Sequence, residues 1–554
     1  MKPTTLLIVF ICGYACGDKT KFCDSLIYCR GQVLDVVQKS KIFEDSKSFV
    51  DMSQVNHPNE TLKNFYSFMK DTYYNPNKNQ IRSFVGENFV VDNGLQKWTP
   101  HDFDSNPQFV ERIDNINIKE FARGLIKIWP SLGRKVKFSV RENPEKYSLI
   151  YLPNGFIVPG GRFREMYYWD SYWIVKGLLL TGMKDTVRGV LENFVYLIDR
   201  YGFVPNGSRI YYLSRSQPPL LSLMVGLYID YTNDIKWLQK NIGALEKELK
   251  WWLQNRITIV DKNRKDHVLA YFSSETDDPR PESYYEDIRT CAEFEDQIKK
   301  QRCYKNLRSG AESGWDFSSR WIFHANGTRC SNLTHIEVAR VIPVDLNSYL
   351  CKAFRELSRF YSLIGDTKKS EQWLERSSSW QKSIESVFYD PEDGIWYDYD
   401  ATSSKLIKRF YLSNFTPLWS EIYDVSLRNE YASKIVKYLN KLNISEFKGG
   451  IPTSLKESGQ QWDMPNAFPP LQEVLITGLL KTGHPEARKL ATDFAHKWIT
   501  ANMRSFKKNG VMFEKYNAGD PEELAIGGEY TVQFGFGWTN GVALSIIDQF
   551  YVQD

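Results

Sequence analysis

What the 554-residue sequence lacks excludes most cofactor chemistry. It has no Gly-x-Gly-x-x-Gly to cradle a dinucleotide and no Gly-rich loop ending in Gly-Lys-Ser/Thr to cradle a phosphate. Nor does it hold a Gly-x-Ser-x-Gly turn to present a serine nucleophile. Its seven histidines are scattered without the pairing of a zinc protease, and no Cys-x-x-Cys occurs, so no metal or other cofactor is expected. No block of one charge is present: 71 basic and 67 acidic residues leave a net +4, which argues against nucleic acid as a partner. Long apolar runs are missing too. The only candidate, Leu6 to Cys12, follows Lys2 and precedes Ala15, Cys16 and Gly17; it is far shorter than the roughly 20 residues of a spanning helix. Residues 1–17 therefore read as a secretory signal peptide, and residues 547–554 carry no hydrophobic tail for a lipid anchor.

Aromatic residues, by contrast, are abundant, with 16 Trp, 32 Tyr and 33 Phe making up 15% of the chain. Rings in that number suit a site that stacks on sugar faces. Beyond the leader six cysteines remain: Cys23, Cys29, Cys291, Cys303, Cys330 and Cys351. An even count in an extracellular protein implies disulfides, with Cys23 and Cys29 able to close a short loop and local pairing expected among the other four. Sequons at Asn59, Asn326, Asn332, Asn414 and Asn443 are the expected N-glycan sites. A sixth, at Asn206, is expected to be bare because it falls in a candidate binding loop.

Residues 18–554 read as a single catalytic domain, with 18–114 as an arm packed on a larger body. Leu346, Leu350, Phe354, Leu357, Tyr361 and Ile364 mark one helical face before Gly365, and Trp373, Trp380, Ile384 and Val387 begin another at once. The same pairing predicts helices near 118–129, 190–198, 220–228, 237–252, 425–442, 471–482, 487–500 and 539–550. Residues 147–158 read as β-like around the turn Pro153-Asn-Gly155. With no sequence repeat and no linker, the pattern describes one toroid of helical hairpins joined by chemically rich loops.

Those loops hold the candidates. Pro159-Gly-Gly-Arg-Phe-Arg-Glu-Met-Tyr-Tyr-Trp-Asp170 packs turn residues, charges and rings into a dozen positions. The 204–219 loop offers Asn206, Arg209, Arg215 and Gln217; Asp278-Pro-Arg280-Pro-Glu282 holds an arginine between two prolines. Gly314-Trp315-Asp316 sets a carboxyl against a ring, a placement that raises its pKa by desolvation. Gln461-Trp462-Asp463, Phe513-Glu514-Lys-Tyr516 and Gly527-Gly-Glu529-Tyr530 complete the set. Two carboxyls in an aromatic cleft are the apparatus for cleaving a glycosidic bond without a cofactor, though spacing alone does not say which two act.

Pro159 to Tyr172 and Gln461-Trp-Asp-Met-Pro-Asn-Ala-Phe-Pro-Pro470, together with Gly-Gly-Glu-Tyr530 and Gly535-Phe-Gly-Trp-Thr-Asn-Gly541, resemble the signatures of the trehalases of glycoside hydrolase family 37. The resemblance implies an all-α fold, an (α/α)6 barrel with long catalytic loops and small β elements. It implies hydrolysis of α,α-trehalose to two glucose molecules with inversion, Asp316 as general acid and Glu514 as general base. Arg162, Arg215 and Arg280 match the family's essential arginines. Phe163, Trp169, Asp170, Asn206, Gln217, Glu282, Gly314, Trp462 and Glu529 match positions that line its pocket. Three positions depart from the family pattern: Phe468 where Trp is usual, Asn517 where Asp is commoner, and a shortened Ala525-Ile-Gly-Gly528 run. Another glucoside-active enzyme on the same barrel, or a sugar-binding paralogue without activity, are the alternatives.

Overall fold

A computed structural model describes residues 22–323 and 332–552. The leader at 1–17, Asn326 and Cys330 lie outside the described residues. The arm contributes α1 (Gln32–Ser40), α2 (Pro58–Asp71) and α3 (Lys78–Asn88), and α4 (Ile116–Ile126) leads into the body. From there helices alternate: α5 (Asp170–Leu180) inside and α6 (Lys184–Tyr201) outside, α7 (Leu221–Thr232) inside and α8 (Ile235–Asn255) outside. After α9 (Gln297–Glu312) come α10 (Val344–Leu363) inside, α11 (Thr367–Phe388) outside, α12 (Thr416–Ser420) inside and α13 (Arg428–Lys441) outside. The series ends with α14 (Pro469–Lys481) inside, α15 (Pro485–Asn509) outside and α16 (Gly537–Tyr551) inside.

The inner helices α5, α7, α10, α12, α14 and α16 pack each on the next, and α16 returns to α5, so six helices close a ring. Helix α4 backs α16 and completes an outer layer of six. The expected (α/α)6 barrel is the observed fold. Sequence separates the layers. Helix α7 buries Leu221 to Gly226 without a break, as a helix covered all round must. Outer α6 buries its apolar residues Val187, Val190, Leu191, Phe194, Leu197 and Ile198 along one stripe, with Thr186 and Asn193 beside them, and stops at Gly202, whose φ of 88° closes the C-terminus.

Some expectations are corrected. Pro130 does not end a helix reaching Trp129; α4 stops at Ile126 and Pro130 starts a separate turn, Trp129–Leu132, where its missing N–H costs nothing. Of residues 147–158 only Phe156–Ile157 forms a strand, the outermost of an antiparallel sheet with Gly133–Val136 and Leu95–Lys97. A hairpin, β1 (Ile257–Lys262) and β2 (Lys265–Ala270), turns at Asn263 and Arg264, both with positive φ. Disulfides join Cys23 to Cys29 and Cys291 to Cys303, while Cys351 is a buried thiol that contacts the Ser377 carbonyl at 3.2 Å. Asn414 is fully buried with its amide donating to the Arg409 carbonyl at 2.8 Å, which leaves no room for the glycan expected there. Asn59, Asn332 and Asn443 are exposed. No described helix is long and apolar enough to cross a membrane.

Candidate active site

The fourteen residues matched to the family's pocket, acid and base all line one cavity, whereas Arg209 of the 204–219 loop does not. Four inner helices aim their N-terminal ends at it: Asp170 opens α5, Gln217 precedes α7, Trp462 precedes α14, and Trp538 lies in the first turn of α16.

Asp316 follows α9 through Gly314, whose φ is 76° and where a Cβ would stand 2.6 Å from the Trp169 ring. Only glycine lets the chain pass so close to that ring while turning left-handed. Two contacts fix the segment. The Gln461 amide donates to the Asp316 carbonyl, and the Trp462 N–H donates to the Phe317 carbonyl at 2.9 Å. Just beyond, the Asp463 carboxylate collects the Ser319 N–H at 2.6 Å and the hydroxyls of Ser318, Ser319, Ser454 and Ser458. Asp316 lines the cavity. Burial pushes its pKa up to about 7, Glu529 adds to the rise, and Arg280 and Arg215 oppose it. Asp170 is pushed further, to about 8, by burial and then by the charges of Glu514 and Asp316.

Glu514 sits on a different segment, pinned to the second signature by the pairing Asn466↔Asn517 and Ala467↔Tyr516. Tyr530 donates its hydroxyl to Glu514 Oε1 at 2.8 Å, and Lys515 Nζ lies 3.2 Å from Oε2 and 2.6 Å from Gln461 Oε1. Gln461 thus ties the backbone of one carboxyl residue to the lysine beside the other. Asn517 accepts N–H bonds from Gly519 and Asp520 at 2.9 and 3.2 Å and donates to Glu523 at 3.3 Å. An aspartate could accept the first two but not make the third.

The arginines line the cavity in paired form. Arg215 meets Glu282 at 2.6 Å; Arg280 meets Asp287 at 2.6 Å and Glu529 at 2.7 Å; Arg162 meets Asp45 through both Nε and Nη2. Burial would raise Glu282, yet Arg215, Arg280 and Arg308 together hold it below its ordinary range. Arg215 Nε and Nη1 and Glu282 Oε2 are buried without a hydrogen-bond partner from the protein. Gln217 is turned inward by accepting the Trp169 N–H at 3.1 Å, and Asn206 is buried in the wall, where a glycan has no room.

Rings complete the enclosure. Trp462 is backed by Phe468, centroids 3.6 Å apart and planes within 6°, and by Trp315 at 5.3 Å. Phe163 stands edge-on to Tyr530 at 5.4 Å and Phe536 at 6.0 Å. The cavity also takes Tyr167, Tyr530, Phe536 and Trp538, which lie inside the quoted motifs without having been assigned to the pocket, and Tyr212, Ser283 and Ala311. Adjacency to Glu529 was the available signal for Tyr530; Tyr212 and Ala311 had none.

Comparison with known proteins gives a consistent result. The family model described as Trehalase matches residues 41–551. A trehalase of Tenebrio molitor is 49% identical over 529 residues, covering 96% of this chain and 95% of that one. The Homo sapiens trehalase is 41% identical over 549 residues, covering 98% and 93%. Among solved structures, neutral trehalase Nth1 of Saccharomyces cerevisiae shares the fold with a TM-score of 0.57 at 24% identity, covering 71% of this chain and 73% of that one.

Proposed function

Because the chain belongs to the trehalase family, we propose that it hydrolyses α,α-trehalose to two glucose molecules in this cavity, with Asp316 as general acid and Glu514 as general base. The observation that carries this reading is the contrast between the two carboxyls. Asp316 holds a proton up to about pH 7 in a buried setting, whereas Glu514 is surrounded by the donors Lys515 and Tyr530.

In the proposed reaction Asp316 gives its proton to the bridging oxygen as the bond from that oxygen to one anomeric carbon breaks. Glu514 takes a proton from a water whose oxygen attacks the same carbon from the opposite face, so that one glucose leaves as the β anomer and the other as α. The polar lining formed by Arg162, Arg215, Gln217, Arg280 and Glu282 supports a polyhydroxylated substrate, because it offers both donors and acceptors to hydroxyl groups. Arginine stays protonated throughout and serves to orient. Proton NMR of the first turnovers tests the stereochemistry: equal α- and β-glucose is expected, and two α-glucose molecules would rule inversion out.

Secretion belongs to the same proposal. It is supported by the Lys2-to-Gly17 pattern and by two disulfides, which persist in oxidising compartments. Expression of the whole sequence in cultured eukaryotic cells is expected to deliver enzyme to the medium beginning near Asp18, with glycans on Asn59, Asn332 or Asn443 and none on Asn206. Retention of the intact leader on intracellular protein would overturn it.

A further inference from the structure

The three cavity arginines lie on three separate loops, and one short piece of the arm touches all three. Residues 45–51 begin with Asp45, which takes Arg162 Nε at 2.7 Å and Nη2 at 2.6 Å. Lys47, almost fully buried, reaches Glu165 at 2.6 Å and Asp51 at 2.8 Å. Asp51 in turn receives the Tyr211 hydroxyl at 2.8 Å and Arg209 at 3.2 Å, from the loop that carries Arg215. Ser46 donates to Glu286 at 2.8 Å, and Gln38 bridges the carbonyls of Ser46 and Pro281, beside Arg280. A segment outside every signature therefore clasps the three loops that hold the guanidinium groups.

We propose that Asp45 is a positioning residue for substrate recognition, acting through Arg162. The geometry requires something in that place. Arg162 stands between the catalytic cavity and a second, outer cavity of about 960 Å³ that Asp45 also lines, together with Lys47, Asp51, Asn93 and Arg164. An arginine side chain bordering two cavities has room to swing into either. The rings of Tyr530 and Phe163, 4.8 and 5.4 Å from the guanidinium carbon, hold it loosely by its faces. Among the described residues the two-pronged Asp45 contact fixes its direction, since a carboxylate meeting both Nε and Nη2 fixes the plane as well as the position. Asp45 is itself fixed, its Oδ1 accepting the Lys47 N–H at 2.9 Å. The Asp45 contact thereby holds the Arg162 guanidinium, which borders the catalytic cavity, in one orientation. On this account the arm is part of the sugar site.

The inference rests on the reading that Arg162 grips the substrate, and the experiment separates the two. Steady-state kinetics on trehalose are measured for Asp45→Asn, Arg162→Met and the double variant. Asp45→Asn is expected to raise KM roughly tenfold with kcat within about twofold, as loss of a binding contact does. In the Arg162→Met background the same change is expected to add nothing further to KM. Asp45→Glu, which retains the charge and its contacts with the fold, is expected to fall between wild type and Asn, and it carries the test if the amide variant proves unstable. An unchanged KM for Asp45→Asn beside a raised KM for Arg162→Met overturns the role of Asp45. Equal effects of Asp45→Asn in both backgrounds overturn it as well. An unchanged KM for Arg162→Met removes Arg162 from substrate binding, and the inference with it.

Discussion

Two walls of one cavity treat their carboxyls in opposite ways. On the arginine wall Glu282 faces Arg215, Arg280 and Arg308, and its pKa falls below the ordinary range despite burial. On the aromatic side Asp316 and Asp170 sit among Trp169, Trp462 and Trp538 and rise to about 7 and 8, Asp170 with no cation acting on it and Asp316 with Glu529 working against Arg280 and Arg215. Desolvation is common to both walls. At Glu282 three cations outweigh it, whereas at Asp316 two cations opposed by Glu529 do not, so the first carboxyl suits the holding of hydroxyls and the second suits the donation of a proton.

The largest effect that would test this division is loss of a carboxyl from the second wall. Asp316→Asn and Glu514→Gln are each expected to lower kcat by about 10²- to 10⁴-fold with the circular dichroism spectrum unchanged, as removal of a general acid or base does. Activity near wild type in either would erase the distinction. Next comes Arg215→Met, which leaves Glu282 without its nearest cation. Breaking a buried pair costs about 3–5 kcal/mol, so a lowered melting temperature and a lower kcat/KM are expected, and adding Glu282→Gln should restore stability without restoring activity. Gly314→Ala is milder. Its positive φ and the 2.6 Å approach to Trp169 predict a loss of about 1–3 kcal/mol in thermal melts with a raised KM.

The smallest effect is graded with pH. The active form of Asp316 is protonated, so kcat/KM is expected to fall about tenfold per pH unit above about 7. Stability follows the same proton. Because the folded pKa lies above the unfolded value, the native state holds a proton that the unfolded chain has lost between about pH 4 and 7, and stability declines as pH rises through that window. Asp316→Asn should flatten this part of the decline, which melting curves at matched pH values would reveal. A variant with the wild-type slope would assign the proton elsewhere.

Much of both walls was legible in the sequence because loop chemistry is written in neighbouring residues: Gly314-Trp-Asp316 and Gln461-Trp-Asp463 each carry turn, ring and carboxyl together. The helical hairpins were legible for a related reason, since an outer helix must show its stripe. Helix α9 was not, because the side it buries includes Asn306, Arg308, Ser309 and Glu312, which break the apolar period. These polar groups are buried because they serve the loops: Arg308 holds the carbonyls of Asp278 and Pro279, and Glu312 pairs with Arg256. Hairpin β1–β2 escaped notice because Asn263-Arg264 lacks the glycine that usually marks such a turn. The clasp at residues 45–51 left no local trace, since its partners are more than a hundred residues away in the chain.

Closure of the inner ring by α16 against α5 has a consequence for how the protein is made. The two helices are separated by more than 350 residues, and Trp538 and Tyr530, at or just before α16, belong to the cavity. During synthesis the chain can pair its early hairpins as they emerge, yet the ring stays open and its apolar inner faces uncovered until residues 537–551 have left the ribosome. At translation rates of about 5–20 residues per second, the interval between finishing α5 and finishing α16 is tens of seconds. Throughout that time the nascent enzyme is a sticky arc of helices, so the burden on its chaperones is set by the position of a single late helix.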